Sequence, residues 1–433
     1  MAAPAPAPRS ILRGHKAPVH VAEFIRRNQR LATGDADGYV VLWDLAILRP
    51  RAVWRAHENA ILGIRAWGAD KLITHGRDHK LIVWKIGPAE EEGMSTALPL
   101  EETLEPRAQP WLLHMLPVNT MNFCSFAACA SSASRDGMDI ETASEILVAV
   151  PNTLVSEAID VYQLPDQTRL HTVKPGSGNG MAMSLSLLHL RGYLTMVAAF
   201  ENGAASVHRL GDGGVWTMLY RSQAHSQPIL SISVHPSLEH FFTSSADSLI
   251  VKHPLPTSQQ EIATPFDPSN RIIEEIVDSA PPSLLSAGLK GESERAAKST
   301  TKPWEHPTKV TNTKHSGQQS LRVRSDGRIF ATAGWDANVR VYSAKTMKEL
   351  AVLQWHKVGC YGLAFADVDP LESQDSGEPV GAESDASVSQ AMLAKGPAEL
   401  QSSVKARRLH KAQTTHWIAA GAKDGKVSLW DIY

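Results

Sequence analysis

The feature that most constrains the fold is a spacing that recurs along the chain. A histidine, an aspartate and a tryptophan stand in one order twice near the N-terminus, as His15, Asp37 and Trp43 and then as His57, Asp78 and Trp84. The histidines lie 42 residues apart and the tryptophans 41, so both landmarks keep one register. Self-similarity at this period predicts a repeat architecture. The length agrees, because 433 residues exceed the size at which one hydrophobic core usually stops growing.

The same order returns further along. Three more pairs are His225 with Asp247, His315 with Asp336, and His356 with Asp424. Four residues before the successive aspartates stand Thr33, Thr74, Thr243, Thr332 and Ala420. Six residues after them stand Trp43, Trp84, His253, Tyr342 and Trp430. Short alternating segments around this last position predict β-strands.

This pattern resembles the WD-repeat family, whose repeats build the four-stranded blades of a β-propeller. The resemblance implies a buried hydrogen-bond chain in each blade, which gives a buried carboxylate and an indole N–H the partners that they need. Complete sets are His15, Thr33, Asp37, Trp43 and His57, Thr74, Asp78, Trp84. Ala420 lacks a hydroxyl, so we expect a weaker network in the last blade.

Two further blades are placed by spacing alone. Tyr162 and His208 lie in alternating segments 46 residues apart, and His208 precedes His253 by 45 residues. Asn202-Gly203 supplies turn residues before the second segment. Neither segment has a Gly-His opening, which leaves their boundaries open. By the resemblance, each alternating segment is the third strand of one blade. Seven such segments predict an all-β fold, a seven-bladed WD-repeat β-propeller.

The two ends of the sequence predict how the ring closes. Residues 9–12 stand where an outer strand belongs, and the chain ends at residues 427–432 with that strand missing. An N-terminal strand that completes the last blade would leave no open edge in the ring. We therefore expect residues 9–433 to form a single propeller.

Three insertions interrupt the repeat, at about residues 88–110, 254–305 and 367–412. The first contains Glu90-Glu91-Glu92, and the other two are rich in polar and charged residues. Segments with so few large apolar residues cannot offset the entropy of ordering, so we expect partly disordered surface loops.

Composition argues against several classes of function. Lys and Arg number 43 against 45 Asp and Glu, a net charge of −2, so we expect neither direct nucleic-acid binding nor membrane attachment. Cys124, Cys129 and Cys360 form no CxxC pair, which favours free thiols in a reducing compartment. With no run of 18 apolar residues and no secretory signal pattern, the protein is expected to be soluble and intracellular.

Catalysis is not expected either. Of 18 histidines, five occupy the repeat's structural position, and none forms an HExxH or HxH pair. The Gly-rich segment 176–180 lacks the Lys-Ser or Lys-Thr of a phosphate-binding loop. We predict no enzyme activity, no cofactor and no metal.

The opening SILRGHKAPVH and the close WIAAGAKDGKVSLWDIY are similar to a fungal family of G-protein-β-like propellers that belongs to the ASTRA assembly. This similarity implies a nuclear scaffold subunit that binds other protein subunits and is linked to chromatin remodelling. An alternative is a substrate receptor of a ubiquitin ligase. A G-protein β subunit is disfavoured, because only about ten residues precede the first repeat. The basic run 405–408 is a candidate nuclear import signal.

Family geometry also implies which side chains face a partner. The residue before each structural aspartate points outward, and these residues are Ala36, Arg77, Ala246, Trp335 and Lys423. An exposed Trp beside cations is typical of a binding hot spot. We therefore predict partner contacts at Arg77, Trp335 and Lys423. The simpler interpretation is that Trp335 only covers the turn of its own blade.

Overall fold

The computed structural model describes residues 6–101, 106–119, 123–132, 140–256, 303–368 and 397–432, with side chains from residue 404 onward in the last range. These residues form seven four-stranded antiparallel sheets. The predicted fold class is confirmed.

The strands follow the chain in order, four to a blade. Blade 1 contains β2 (Val19–Ile25), β3 (Arg30–Asp35), β4 (Tyr39–Asp44) and β5 (Arg49–Arg55). Blade 2 contains β6 (Ile61–Trp67), β7 (Lys71–Gly76), β8 (Lys80–Lys85) and β9 (Trp111–Pro117). Blade 3 contains β10 (Ala127–Ala130), β11 (Ile146–Pro151), β12 (Ile159–Leu164) and β13 (Thr168–Val173). Blade 4 contains β14 (Ala182–Leu190), β15 (Tyr193–Phe200), β16 (Ala205–Leu210) and β17 (Trp216–Ser222).

The remaining blades keep this order, except that the last takes its outer strand from the N-terminus. Blade 5 contains β18 (Ile229–Val234), β19 (His240–Ser245), β20 (Leu249–Pro254) and β21 (Lys309–Asn312). Blade 6 contains β22 (Gln318–Val323), β23 (Ile329–Gly334), β24 (Asn338–Ser343) and β25 (Glu349–Gln354). Blade 7 contains β26 (Cys360–Phe365), β27 (Trp417–Ala422), β28 (Lys426–Asp431) and β1 (Ser10–Arg13). We call the four strands of a blade a to d, from the centre outward.

The core is divided into layers between blades. Each buried apolar cluster of the described residues combines side chains from two neighbouring blades, and the series runs around the ring. Middle strands are therefore buried on both faces, as in β11, whose sequence ILVAVP is buried throughout. The second strands of blades 3 and 4 are accordingly almost continuously apolar, whereas third strands such as β24, NVRVYS, still alternate.

Ring closure occurs as the sequence predicts. Strand β1 pairs antiparallel with β28, with Leu12 opposite Val427. Leu12 is buried in the cluster between blades 7 and 1. Arg9 adds an ion pair to Asp431 and a backbone hydrogen bond of 2.8 Å to Leu429. The first strand is thus both a hydrogen-bonded edge and part of the core.

The first insertion is anchored by its acidic run. Residues Glu90–Gly93 form a short 3-10 helix, and Glu91 is buried. Its carboxylate accepts hydrogen bonds from Arg26 and, at 2.9 Å, from Arg30 Nη2. A buried carboxylate with two guanidinium partners fixes this segment under blade 1.

The third insertion differs in part from the expected loop. Residues Pro397–Thr414 form helix α1, whereas residues 369–396 lie outside the described structure. The helix carries no clear apolar stripe, which is why the sequence pattern missed it. Its residues are mainly good helix formers after a proline at the first position. The second insertion falls largely on residues 257–302, which are also outside the described structure.

Candidate functional site

The b–c turns, between the second and third strands of a blade, are fixed by buried hydrogen-bond chains. Blade 2 brings together all four predicted residues. His57 Nδ1 lies 2.8 Å from Asp78 Oδ1, and His57 Nε2 lies 2.8 Å from the Thr74 hydroxyl. The indole Nε1–H of Trp84 donates to the same hydroxyl at 2.8 Å. Partial burial of Asp78 tends to raise its pKa, but the hydrogen bond from His57 outweighs this effect and the pKa is lowered.

In blade 1 the acidic residue is Asp35, which corrects the prediction of Asp37. His15 Nδ1 lies 2.7 Å from Asp35 Oδ2, and Asp37 is exposed. His15 Nε2 and Trp43 Nε1 reach Thr33 as expected, at 2.7 and 2.9 Å. The reason appears in blade 2, where the position of Asp35 is occupied by Gly76. A Cβ at Gly76 would lie 2.4 Å from the ring of His57, so a side chain there points at the histidine.

Blade 5 uses a histidine in place of the tryptophan. His225 contacts Asp247 at 3.1 Å and Thr243 at 2.8 Å. His253 Nε2 lies 2.8 Å from Thr243, and its Nδ1 lies 2.7 Å from the hydroxyl of Tyr220. Burial lowers the pKa of His253 well below its usual range, so the ring is neutral. The chain thereby extends into the outer strand of blade 4.

In blade 7 a serine on the neighbouring strand supplies the hydroxyl that threonine supplies in other blades. His356 Nε2 lies 2.8 Å from the hydroxyl of Ser428, which also accepts from Trp430 Nε1–H at 2.9 Å. Ser428 pairs directly with Ala420 in the β27–β28 register. The expected loss of this link is therefore wrong. The acidic link is the weaker one, because Asp424 lies 3.8 Å from His356 Nδ1.

In blade 6 the histidine and the aspartate approach each other without a hydrogen bond. His315 lies 3.8 Å from Asp336 and its side chain is 42% exposed. Arg340 takes the carboxylate of Asp336 instead, at 2.6 Å. Partial burial of Asp336 tends to raise its pKa, but the hydrogen bonds from Arg340 and Asn338 outweigh this effect and the pKa is lowered.

The predicted partner residues all lie on the face formed by the b–c turns. Trp335 is 49% exposed, and its Nε1–H donates to Gln319 Oε1 at 2.9 Å. The ring also covers Gly317, where a Cβ would lie 2.2 Å from it. Arg77 is partly buried and Lys423 is exposed. Trp335 therefore covers its own blade's turn and still presents half of its surface.

An aromatic arc lies on this face, and three of its four members line the central cavity. We define it as Trp335, Tyr361, His20 and Phe123. Tyr361 and His20 pack edge to face with centroids 5.7 Å apart, and Arg77 lies over the Phe123 ring at 4.3 Å. Burial lowers the pKa of His20, so the ring is mainly neutral near pH 7.

Regular bulges in the a strands place side chains at this cavity. The register shifts between the first and third residues of the a strand in blades 1, 2, 4, 5, 6 and 7. The bulged residues are His20, Leu62, Met183, Leu230, Gln319 and Tyr361. A bulge redirects one side chain relative to the pleat. These residues line a cavity of about 510 Å³ at the ring axis.

The comparisons with known proteins decide the family. The WD domain, G-beta repeat profile matches residues 7–44, 216–251, 307–343 and 403–431. The chain is 48% identical over 482 aligned residues to ASTRA-associated protein 1 of Pyricularia oryzae, covering 100% of this chain and 99% of that protein. It is 51% identical over 429 residues to ASTRA-associated protein 1 of Verticillium alfalfae, covering 99% and 93%. The chain belongs to the ASTRA-associated protein 1 family.

A distant member supports the same assignment. ASTRA-associated protein 1 of Schizosaccharomyces pombe is 31% identical over 412 residues, covering 86% of this chain and 97% of that protein. The segments that the profile matches also follow the order of strands in the propeller described above. Residues 7–44, 216–251 and 307–343 each run from an outer strand to the third strand of the next blade. Sequence repeat and structural blade are thus offset by one strand, which is what makes β1 the closing strand.

Of the four residues in the aromatic arc, the sequence predicted Trp335 and missed His20, Tyr361 and Phe123. His20 and Gln319 each precede the repeat's aspartate by 17 residues, so a longer repeat alignment would have marked the bulge position. Phe123 lies before β10, in a blade whose sequence lacks the repeat's landmarks, and no such signal marks it.

The described residues contain neither a metal-ligand cluster nor a thiol with a lowered pKa. Among the described residues, no group of three or more His, Cys, Asp or Glu could hold a metal ion. Burial raises the pKa of Cys129 and Cys360 to about 12 and that of Cys124 still further, so these thiols stay protonated and are poor nucleophiles. No helix in the described ranges is long and apolar enough to span a membrane.

Proposed function

We propose that this protein is a non-catalytic scaffold subunit of an ASTRA-type assembly in the nucleus, linked to chromatin remodelling. The family supports this proposal, since near full-length relatives carry the name ASTRA-associated protein 1. The observation that carries it is the aromatic arc. Trp335 is half exposed on the same face as the Tyr361–His20 pair, the Arg77–Phe123 pair and Lys423, and this mixture of aromatic and cationic side chains is the composition of an interface hot spot.

The arc is also preorganised. Trp335 is held by Gln319 and by its contact with Gly317, while Tyr361 and His20 hold each other. Side chains already fixed before binding lose little rotamer entropy when a partner arrives. Cations at the edge would direct an acidic partner surface to this face.

The test is partner binding by variants of the full chain. Trp335→Ala, Arg77→Glu and Lys423→Glu should each leave the melting temperature nearly unchanged. At a hot spot the loss should be about 2 kcal/mol, or roughly 30-fold in Kd, for Trp335→Ala. The measurement is quantitative affinity purification with ASTRA subunits, followed by binding assays with the purified subunit recovered.

Lys345→Glu with Lys348→Glu is the matched control, because both lysines are exposed on the c–d turn of blade 6, on the opposite face. Partner binding that survives the changes at Trp335, Arg77 and Lys423 would exclude this face. Recovery of a ubiquitin-ligase adaptor instead of ASTRA subunits would contradict the scaffold assignment itself.

Nuclear residence is tested separately by a fluorescent fusion carrying Ala at Lys405, Arg407 and Arg408, which should stay in the cytoplasm if that run is the import signal.

A further inference from the structure

A groove lies on the face opposite to the aromatic arc, between helix α1 and blade 1. It encloses about 640 Å³. One wall is the side of α1 that carries Lys405, Arg408 and Leu409, and the other is the c–d turn of blade 1 with Ile47. We call it the α1 groove.

The helix that forms the groove is fixed at its C-terminal end. Ala412 is buried in the cluster between blades 7 and 1, and its carbonyl accepts from Trp417 Nε1–H at 3.1 Å. The Gln413 carbonyl accepts from Asn28 Nδ2 at 3.2 Å. Residues three and four apart share one face of a helix, so Lys405, Arg408 and Ala412 point toward the same side. The face that packs into the core at Ala412 thus becomes cationic one turn earlier.

The groove leaves apolar side chains in contact with water. Ile47 is 52% exposed and Val404 is 38% exposed, on opposite walls. Leu409 lies between them on the helix and is partly buried. An apolar side chain inserted here would remove surface of both walls from water, which is favourable.

The charges around the groove are mainly positive and incompletely paired. Lys405 and Arg408 are exposed, and no ion pair among the described residues includes either of them. Asp44, the acidic residue of the lining, is engaged by Arg30 at 3.2 Å. Arg51 is also paired, with its guanidinium 3.7 Å from Glu91 and 3.8 Å from Glu92, so Lys405 and Arg408 are the rim cations without an ion pair among the described residues. The rim therefore offers cations to an incoming group.

We propose that the α1 groove binds a short segment of a partner protein in which apolar side chains are flanked by Asp or Glu. The apolar walls accept the hydrophobic anchors, and the rim cations complement the carboxylates. This site is separate from the aromatic arc, so the propeller can hold two protein partners on opposite faces.

The test starts from an unbiased probe. A displayed library of random peptides about 12 residues long is selected on the full chain, and the recovered peptides are synthesised with fluorescein and titrated by polarisation. The groove variants are Ile47→Asp and the pair Lys405→Glu with Arg408→Glu. The pair Lys345→Glu with Lys348→Glu again serves as the control, since it makes the same charge change on the same face. Melting temperatures verify that each variant is folded.

The expected result is a set of peptides that combine apolar residues with at least two carboxylates. They should lose about tenfold or more in affinity with each groove variant and keep it with the control pair and with Trp335→Ala. Replacing their Glu by Lys should restore binding to the charge-reversed pair.

Three outcomes would overturn the proposal. One is peptide binding that is indifferent to the groove changes, and another is groove-dependent binding by peptides without acidic residues. The third is groove binding that appears only after residues 371–396 are deleted, or after self-association is blocked. That result would assign the groove to a segment of this chain or to a second copy.

Discussion

A single hydroxyl joins two rings in each complete network. In blade 2 the Asp78 carboxylate can only accept, so His57 Nδ1–H donates to it and His57 Nε2 accepts from the hydroxyl of Thr74. The same oxygen accepts from Trp84. Removing the hydroxyl leaves two buried nitrogens without a partner, which costs more than the loss of one ordinary hydrogen bond.

The hydroxyl need not come from the second strand. In blade 7 Ser428 stands opposite Ala420, and in blade 4 Ser206, which lies 2.9 Å from His208 Nε2, stands opposite Ala198. Directly paired residues in adjacent strands have neighbouring Cβ atoms, so either can place an oxygen at nearly the same point. The network depends on the position of the oxygen and not on the residue that supplies it.

The first prediction exchanges these positions. Ser428→Val should destabilise the protein by about 2 kcal/mol, because His356 and Trp430 lose their shared partner. Adding Ala420→Thr should recover most of that loss, since the pair then matches Thr33 and Val41 of blade 1. Denaturant unfolding measures both. A double variant no more stable than Ser428→Val would show that the two positions are not interchangeable.

A second prediction concerns His75, which is fully buried with both ring nitrogens unpaired in the described structure. Burial lowers its pKa to about 3. Because an unfolded histidine titrates near 6.5, the unfolded chain gains a proton below that pH while the folded chain does not. This site therefore removes stability as the pH falls from about 6.5 towards 3, by up to about 1.4 kcal/mol per pH unit.

His75→Phe should abolish this contribution. The variant should be similar to the wild type at pH 7.5 and increasingly more stable than it at pH 5.5 and pH 4.5, a series chosen to bracket the histidine pKa. Urea unfolding at each pH measures the difference. An unchanged difference across the series would mean that His75 does not titrate between the two states.

At the scale of elements, strand β1 differs from the others because it closes the ring of blades. Strand β1 contributes Leu12 to the cluster between blades 7 and 1 and covers the edge of β28. An uncovered β28 would expose a row of unpaired backbone groups to other chains. The N-terminal strand thus contributes to stability and also protects against aggregation.

The third prediction removes that strand. Deleting residues 1–13 should lower the unfolding free energy by about 2 kcal/mol or more, from the burial of Leu12 alone, and should promote aggregation. Deleting residues 1–8 is the control, because it leaves Arg9 and β1 intact. Thermal melting and light scattering report both effects. The closure argument fails if the longer truncation melts like the full chain.

At the scale of the whole molecule, the ring places the chain ends together. Arg9 and Asp431 form an ion pair between the outer and third strands of blade 7. Blade 4 has the corresponding junction in an exposed turn, residues 211–215, between β16 and β17. A cut there would fall between the third and outer strands of blade 4, which pair as β28 and β1 do in blade 7.

The fourth prediction is that a circular permutant with this cut keeps the fold. A flexible linker of about six residues joins residue 432 to residue 9, and the new chain begins at residue 213. Because the closing geometry is repeated in blade 4, the melting temperature should fall by no more than about 5 °C. A cut inside the buried strand β15 is the negative control. Equal loss of structure in both permutants would mean that the blade 4 junction is not equivalent to the junction of β28 and β1 in blade 7.

The sequence by itself determined the blade count, the third strand of each blade and the closing strand. Tyr162 and His208 lie in β12 and β16, although neither blade carries the full set of landmarks. These features depend on local spacing and strand periodicity, which one repeat expresses within its own length. The common face of Trp335, Arg77 and Lys423, in contrast, was implied by the resemblance to the WD-repeat family.

Only the tertiary structure decided how residues distant in the chain meet. Asp35 replaces Asp37 because its side chain faces His15 across the sheet, and Ser428 replaces Ala420 through strand pairing. The aromatic arc joins side chains from blades 6, 7 and 1 with a segment before blade 3, and the α1 groove forms where an insertion of blade 7 meets a turn of blade 1. Contacts between blades depend on the curvature of the closed ring, which no single repeat encodes.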